Sequence, residues 1–241
     1  MQITLQIIPL KLTRHSDRTS ILTAYSRENG TMGFAVPAGA GVGARRRRAL
    51  LMPLNPLEVV ATLRPGSELA TFREPRPLMA LHTVLTDPLR VSTVMFLAEA
   101  LLAVLRQSEG DPRVFDFIVD AMERLNDPLT PTANFHLTFL TRLAAILGIA
   151  PDTGGYRPGM VFDMADGCFR LSAALHGHTL SPAESAAVER LSRICWDNMR
   201  AYKFTRAERA AVLDSILEYY TLHLANLSSM KSPAVLRALL Q

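Results

Sequence analysis

The hydrophobic rhythm of this chain changes once, and that change limits the folds open to it. Up to about residue 73 apolar side chains recur at every second position; beyond Pro75-Arg76-Pro77 they recur at helical spacing. Ile3, Leu5 and Ile7 alternate with Gln2, Thr4 and Gln6, the period of a half-buried strand. Arg14-His15-Ser16-Asp17-Arg18 reads as a polar turn. Thr19–Tyr25 and Thr31–Val36 predict a second and a third strand, with Asn29-Gly30 between them as a tight type I′ turn, whose central residues both need positive φ. Leu57, Val59, Ala61 and Leu63 alternate with Glu58, Val60, Thr62 and Arg64, ending at the turn pair Pro65-Gly66, and Leu69–Arg73 gives a shorter fifth strand. Five short strands joined by tight turns suit a small closed barrel, of either the oligonucleotide-binding (OB) or the SH3-like kind.

The remainder reads as helix. Val91–Arg106 is apolar all round, as a helix buried in a core requires. Asp111-Pro112 is an N-cap followed by proline at the first helical position, opening a helix to Leu125, and Asn134–Leu147 stops at Gly148. From Pro151 to His178 the periodicity fails, and Gly154-Gly155, Pro158-Gly159 and Gly167 predict an irregular insert with a short hairpin near Gly167. Ser181 with Glu184, and Thr205 with Glu208, are capping boxes that start two further helices, and Pro233–Leu240 makes a last one. The expected organisation is α+β: a barrel domain over residues 1–76 and an all-α domain over residues 77–241, interrupted at about 151–178.

Two cysteines, Cys168 and Cys195, make no disulfide framework and lack C-x-x-C spacing, which fits a reducing cytoplasmic interior. The amino end lacks a basic segment followed by an apolar one, and no run reaches the roughly 18 apolar residues of a membrane span, so neither export nor insertion is expected. Charge is unevenly placed. Residues 1–76 hold eleven Lys and Arg against five acids, whereas the other 165 residues hold fifteen against seventeen. The densest point is Arg45-Arg46-Arg47-Arg48, reached through the glycine-rich stretch Pro37–Ala44 and expected to be a flexible loop. Guanidinium groups packed so closely repel one another unless solvent or a polyanion screens them, which marks the front third as a nucleic-acid-facing module.

Taken in order, several segments resemble the RecO family of bacterial recombination mediators. They are Thr19–Val36 with its central Arg27-Glu28-Asn29-Gly30, Leu51-Met-Pro-Leu-Asn-Pro-Leu-Glu58, and Asn134-Phe-His-Leu-Thr-Phe-Leu140 leading to Gly148-Ile-Ala-Pro151. Phe162-Asp163 with Gly167 and Phe169, Tyr219-Tyr-Thr-Leu-His-Leu224 and Met230-Lys231-Ser232-Pro-Ala-Val-Leu236 complete the set. The resemblance implies an amino-terminal OB barrel on a helical body, without catalytic chemistry and without a cofactor. It further implies a cytoplasmic, nucleoid-associated protein that binds single- and double-stranded DNA and anneals complementary strands. Such a protein works with RecR and with the acidic tail of single-stranded DNA-binding protein (SSB) in loading RecA; whether RecF takes part stays open. Two departures stand out. Many members carry a four-cysteine zinc motif where this chain has only Cys168, which excludes a zinc ribbon, and the basic residue usual after the third strand is replaced by Pro37.

For DNA contact the expected residues are Arg45, Arg46, Arg47 and Arg48, supplemented by Arg14, Arg18, Arg27, Arg64, Arg73 and Arg76. Tyr25 and Phe34 suit either base stacking or barrel packing, and Lys231 either a DNA or partner contact or the capping of the preceding helix. Other patterns carry less. The intervals between Cys168, His176, His178 and Cys195 fit no common zinc motif, His136 and His223 sit in apolar helices as core histidines do, and Asp214 and Glu218 form a solvated stripe. Gly39-x-Gly41-x-Gly43 lacks the ending of a P-loop. The expected function is therefore a non-enzymatic DNA-binding mediator. The competing reading is a scaffold whose arginines bind an acidic protein, and a nucleic-acid hydrolase is a distant third.

Overall fold

Strand β1 (Gln2–Arg14) is shared by two neighbours and thereby closes the barrel. Its first half pairs antiparallel with β4 (Leu57–Thr62), from Gln2 opposite Thr62 to Ile7 opposite Leu57. Its second half pairs with β2 (Thr19–Ser26), ending at Arg14 opposite Ser20. The register slips between Pro9 and Lys11. A bulge there accommodates a residue without an N–H and bends the strand from one partner to the other, which is why β1 continues past the alternation that ends at Ile8. The computed structural model describes residues 1–63 and 66–239, and they form two compact units, Met1–Thr130 and Pro131–Gln241.

In the first unit β3 (Gly30–Pro37) pairs antiparallel with β2 and briefly parallel with β5 (Leu69–Pro77), which returns to β4. The order β1-β2-β3-β5-β4 is closed and is that of an OB barrel, which removes the SH3-like alternative. Leu5, Ile7, Leu22, Ala24, Phe34, Val36, Leu57, Val59 and Ala61 fill the interior. Phe34 is fully buried and meets Phe72 edge-on at 5.5 Å; truncation to alanine would cost about 3–5 kcal/mol. Its alternative role as a stacking surface is excluded by that burial.

Two local expectations are corrected. Strand β5 continues past Arg73 to Pro77, because Glu74 takes a positive φ of 51° where the register against β4 shifts, and Pro75 sits at this irregularity and not in the regular ladder. The β2–β3 hairpin exists, but Ser26 pairs with Gly30 across three residues and only Gly30, at φ 69°, is left-handed. It is not a type I′ turn, since Asn29 keeps negative φ.

Besides α1 (Val42–Leu50), inserted between β3 and β4, this unit holds α2 (His82–Thr86), α3 (Pro88–Val104) and α4 (Pro112–Asn126). The aspartates Asp87 and Asp111 cap the latter two, each followed by proline, as their sequences dictate. Ile8 and Tyr25 alternate with Ile7 and Ala24 and so point out of the barrel, yet both are fully buried, because α3 lies across β1 and the Ser108–Asp111 loop covers β2. Arg90 is a buried cation whose charge is answered by Asp87 at 3.2 Å, while its terminal nitrogens donate to the carbonyls of Leu125, Asp127, Pro128 and Thr130. It thereby satisfies the chain leaving α4.

The second unit is built on α5 (Phe135–Ile146), buried on nearly every side, with α7 (Arg206–His223) against it. The Tyr220 hydroxyl donates to the Leu140 carbonyl at 2.7 Å, giving this buried phenol a partner. The irregular insert contains a hairpin of β6 (Val161–Asp163) and β7 (Cys168–Arg170), turning at Gly167 with φ 67°. Helix α6 (Pro182–Leu191) and α7 both open on complete capping boxes, and α8 (Ser232–Leu239) follows. Among the described residues no helix is long and apolar enough to cross a membrane.

Candidate nucleic-acid interface

The four arginines are helical and not part of a flexible loop. They occupy α1 (Val42–Leu50), inserted between β3 and β4 and delivering Leu51 into the barrel core. The glycine-rich approach conceals this helix from propensity, since Gly43 lies within its first turn. Helical spacing sorts the arginines onto two faces. Ala44, Arg47, Arg48 and Leu51 turn toward the barrel end: Arg47 donates to the Pro37 carbonyl at 3.4 Å and Arg48 to that of Gly39 at 3.1 Å. Arg45 and Arg46 are exposed on the opposite face, and no carboxylate pairs with them among the described residues.

A cavity of about 480 Å³ lies between α1 and the β1–β2 turn. Leu12, Val36 and Leu51 supply apolar floor, and Arg14, Arg47 and Arg48 supply the cationic rim. Asp17 is the single acid there and pairs with Arg14 at 2.6 Å. Arg18, in the same turn, and Arg73, on β5, are exposed. Cationic rim over apolar floor is the arrangement that holds a phosphate while an unstacked base leaves water. Nothing in the sequence marks Leu12 and Leu51 as the floor of a shared cavity; only the strand order shows that the turn after β1 and the helix before β4 meet at one end of the barrel.

Other expected contacts are deployed differently. Arg27 makes a two-pronged pair with Asp116, at 3.2 and 2.8 Å, tying the β2–β3 turn to α4. Arg76 pairs with Glu74 at 3.3 Å on the surface. Tyr25 has no ring face for a base: it is fully buried, accepts a hydrogen bond from the Asp111 N–H at 2.9 Å, and burial pushes its phenol above the ordinary value. Arg64 lies outside the described residues. Lys231 is exposed just ahead of α8, in the second unit.

Among the described residues no three His, Cys, Asp or Glu side chains converge as metal ligands. In the insert, where the four-cysteine motif would fall, Asp163 is the organising group. Its side chain is fully buried, with one oxygen accepting from the N–H groups of Ala165 and Asp166 and the other facing Arg170 at 3.0 Å and His176 at 3.2 Å. Burial alone would raise its carboxyl, but the Asp166 N–H and His176 outweigh this and hold it below the ordinary value.

Comparison with known proteins gives one consistent result. Residues 1–79 match the family described as Recombination protein O N terminal, and residues 85–233 match Recombination protein O C terminal. The chain is 38% identical over 244 residues to the DNA repair protein RecO of Porphyromonas gingivalis strain W83, covering 99% of each. It is 33% identical to that of Phocaeicola vulgatus over 96% of each chain, and 28% identical to that of Flavobacterium johnsoniae over 98% of each.

Proposed function

Since the chain belongs to the RecO family of DNA repair proteins, we propose that it is a non-enzymatic mediator of recombination that binds DNA through its barrel and anneals complementary strands. The observation that carries this reading is the end of the barrel where Arg14, Arg47 and Arg48 rim an apolar cavity and Arg45 and Arg46 stand on the outer face of α1. The cations of α1, with Arg18 and Arg73 on the barrel, screen phosphate repulsion between approaching strands, and release of condensed counterions supplies affinity without sequence preference.

In this reading RecR and the acidic, Phe-ended tail of SSB engage the protein and RecA is loaded in consequence, in the cytoplasm at the nucleoid. The apolar cavity among Leu140, Ala144, Phe162, Val188, Ile216 and Tyr219 in the second unit supports an aromatic docking element of that kind. Titrating labelled single-stranded oligonucleotide at several salt concentrations tests the DNA reading. A mediator shows log K falling with log salt at a slope of several units, whereas a scaffold for acidic proteins shows little affinity at any salt.

A further inference from the structure

The second unit carries its own concentration of positive charge. Arg200-Ala-Tyr-Lys203-Phe-Thr-Arg206-Ala-Glu-Arg209 places four cations at three-residue intervals with one acid among them. That acid, Glu208, is already engaged: its carboxylate accepts from the Thr205 N–H at 2.7 Å in the capping box that opens α7. Arg206 donates to the Arg237 carbonyl at 3.2 Å, and Arg209 to Asn134 Oδ1 and the Phe204 carbonyl at 3.2 and 3.0 Å. These are neutral acceptors, so the charges of Arg206 and Arg209 are positioned without being neutralised, and Lys203 is exposed.

Two open cavities run along this segment and share Arg209. One, of about 320 Å³, lies among Asn134, Arg200, Tyr202, Lys203 and Phe204; the other, of about 440 Å³, has Ala207, Ala210 and Leu213 beneath Arg206 and Arg237. Tyr202 and Phe204 flank the first with ring centroids 6.1 Å apart. We propose, resting on the DNA-binding reading above, that this face of the second unit binds a single nucleic-acid strand, its phosphates on Lys203, Arg206 and Arg209 and its unstacked bases in the two cavities.

A strand suits the site better than a peptide. Each nucleotide brings one charge and one flat apolar group, the alternation that two consecutive cavities beneath a row of cations accept, whereas a peptide would need acids and aromatic groups in the same alternation. A protein with one strand-holding face on each compact unit can hold two strands at once, which is what pairing them requires.

The protein's single tryptophan, Trp196, stacks on Phe135 at 4.9 Å, beside Asn134 of the smaller cavity, and reports occupancy of this face. Tryptophan fluorescence is followed while an oligothymidine is added at low salt to the wild type, R45E/R46E, K203E and K203E/R206E, alongside a strand-annealing assay. The wild type and R45E/R46E should both show the tryptophan response. K203E/R206E should lose it, bind about tenfold more weakly and fail to anneal, while the barrel still retains oligonucleotide. A K203E/R206E protein that responds and anneals like the wild type overturns the second face alone. So does a response evoked by an acidic phenylalanine-ended peptide and not by oligonucleotide. Wild-type protein that retains no DNA removes the DNA-binding reading itself. Should K203E/R206E not fold by circular dichroism, K203E, altering one exposed side chain, decides by the same response at reduced amplitude.

Discussion

A Cβ built on Gly30 would stand 2.0 Å from the carbonyl oxygen of Ser108. The contact is reciprocal, since a Cβ on Gly110 would lie 2.2 Å from the carbonyl carbon of Glu28, and the Thr31 N–H donates to Ser108 at 3.2 Å. The turn between β2 and β3 and the loop between α3 and α4 thus interlock backbone to backbone, which requires glycine on both sides.

Gly30→Ala therefore meets two costs at once, a left-handed φ and a collision with main chain that cannot swing aside. The variant should lose about 3 kcal/mol in urea denaturation. Gly110→Ala meets the collision alone and should be destabilised as well. Gly43→Ala is the control: it sits in α1 with nothing within 4 Å, and should gain up to about 1 kcal/mol from helix propensity.

The arginine run should divide in function as it divides in space. Replacing Arg45 and Arg46 with alanine removes charges that pair with no carboxylate among the described residues, so affinity for single strands should fall and the salt slope should shrink by about 1.4, with unfolding unchanged. Replacing Arg47 and Arg48 additionally frees the carbonyls of Pro37 and Gly39, so that pair should also lower the melting temperature. Equal effects of the two pairs on both readouts would contradict the division.

How much of this was readable beforehand differs between elements. The capping boxes at Ser181 and Thr205 and the Asp111-Pro112 start needed only local chemistry, and each stands where the sequence puts it, whereas the helix expected from Val91 opens three residues earlier on Asp87-Pro88. The helix α1 did not show, because its first turn is glycine-rich and its charge pattern has no apolar stripe; its stability depends on Leu51 in the barrel. Tyr25 could not be assigned either, since in a barrel the outward face is as apolar as the inward one wherever a helix covers it, and only tertiary packing says where. Arg27 and Arg73 look the same in sequence, yet one has Asp116 across from it, 89 residues away.

The insert should be held by Asp163 and not by metal. Asp163→Asn would leave His176 without its anion and Arg170 with Asp166 alone, and should destabilise the second unit by about 2–3 kcal/mol. Because the folded-state carboxyl lies below its ordinary value of 3.8, this contribution is present above that pH and is lost as the pH falls through the lower folded-state value. A chelator should leave the melting temperature unchanged, as only Cys168 of a four-cysteine set is present. A drop on adding chelator would show a metal in the insert.

His136 should give the protein a distinct acid sensitivity at milder pH. It is fully buried in α5, and desolvation, with a smaller contribution from the Arg209 charge, lowers it from 6.5 to about 3. The folded value lies below the unfolded one, so the stabilisation is complete above about pH 6.5, where both states are neutral at this ring. Between there and about pH 3 the unfolded chain takes up a proton that the folded chain refuses, and stability falls by up to about 1.4 kcal/mol per pH unit. His136→Gln is expected to cost stability at pH 7, since the ring is fully buried and glutamine does not reproduce its shape, but the difference between wild type and variant should narrow steadily from pH 6 to pH 4. Paired urea melts across that range read the difference directly, other titrating groups cancelling in the comparison. A gap that stays constant would mean that His136 is protonated in the folded protein, and that the charge of Arg209 does not bear on it.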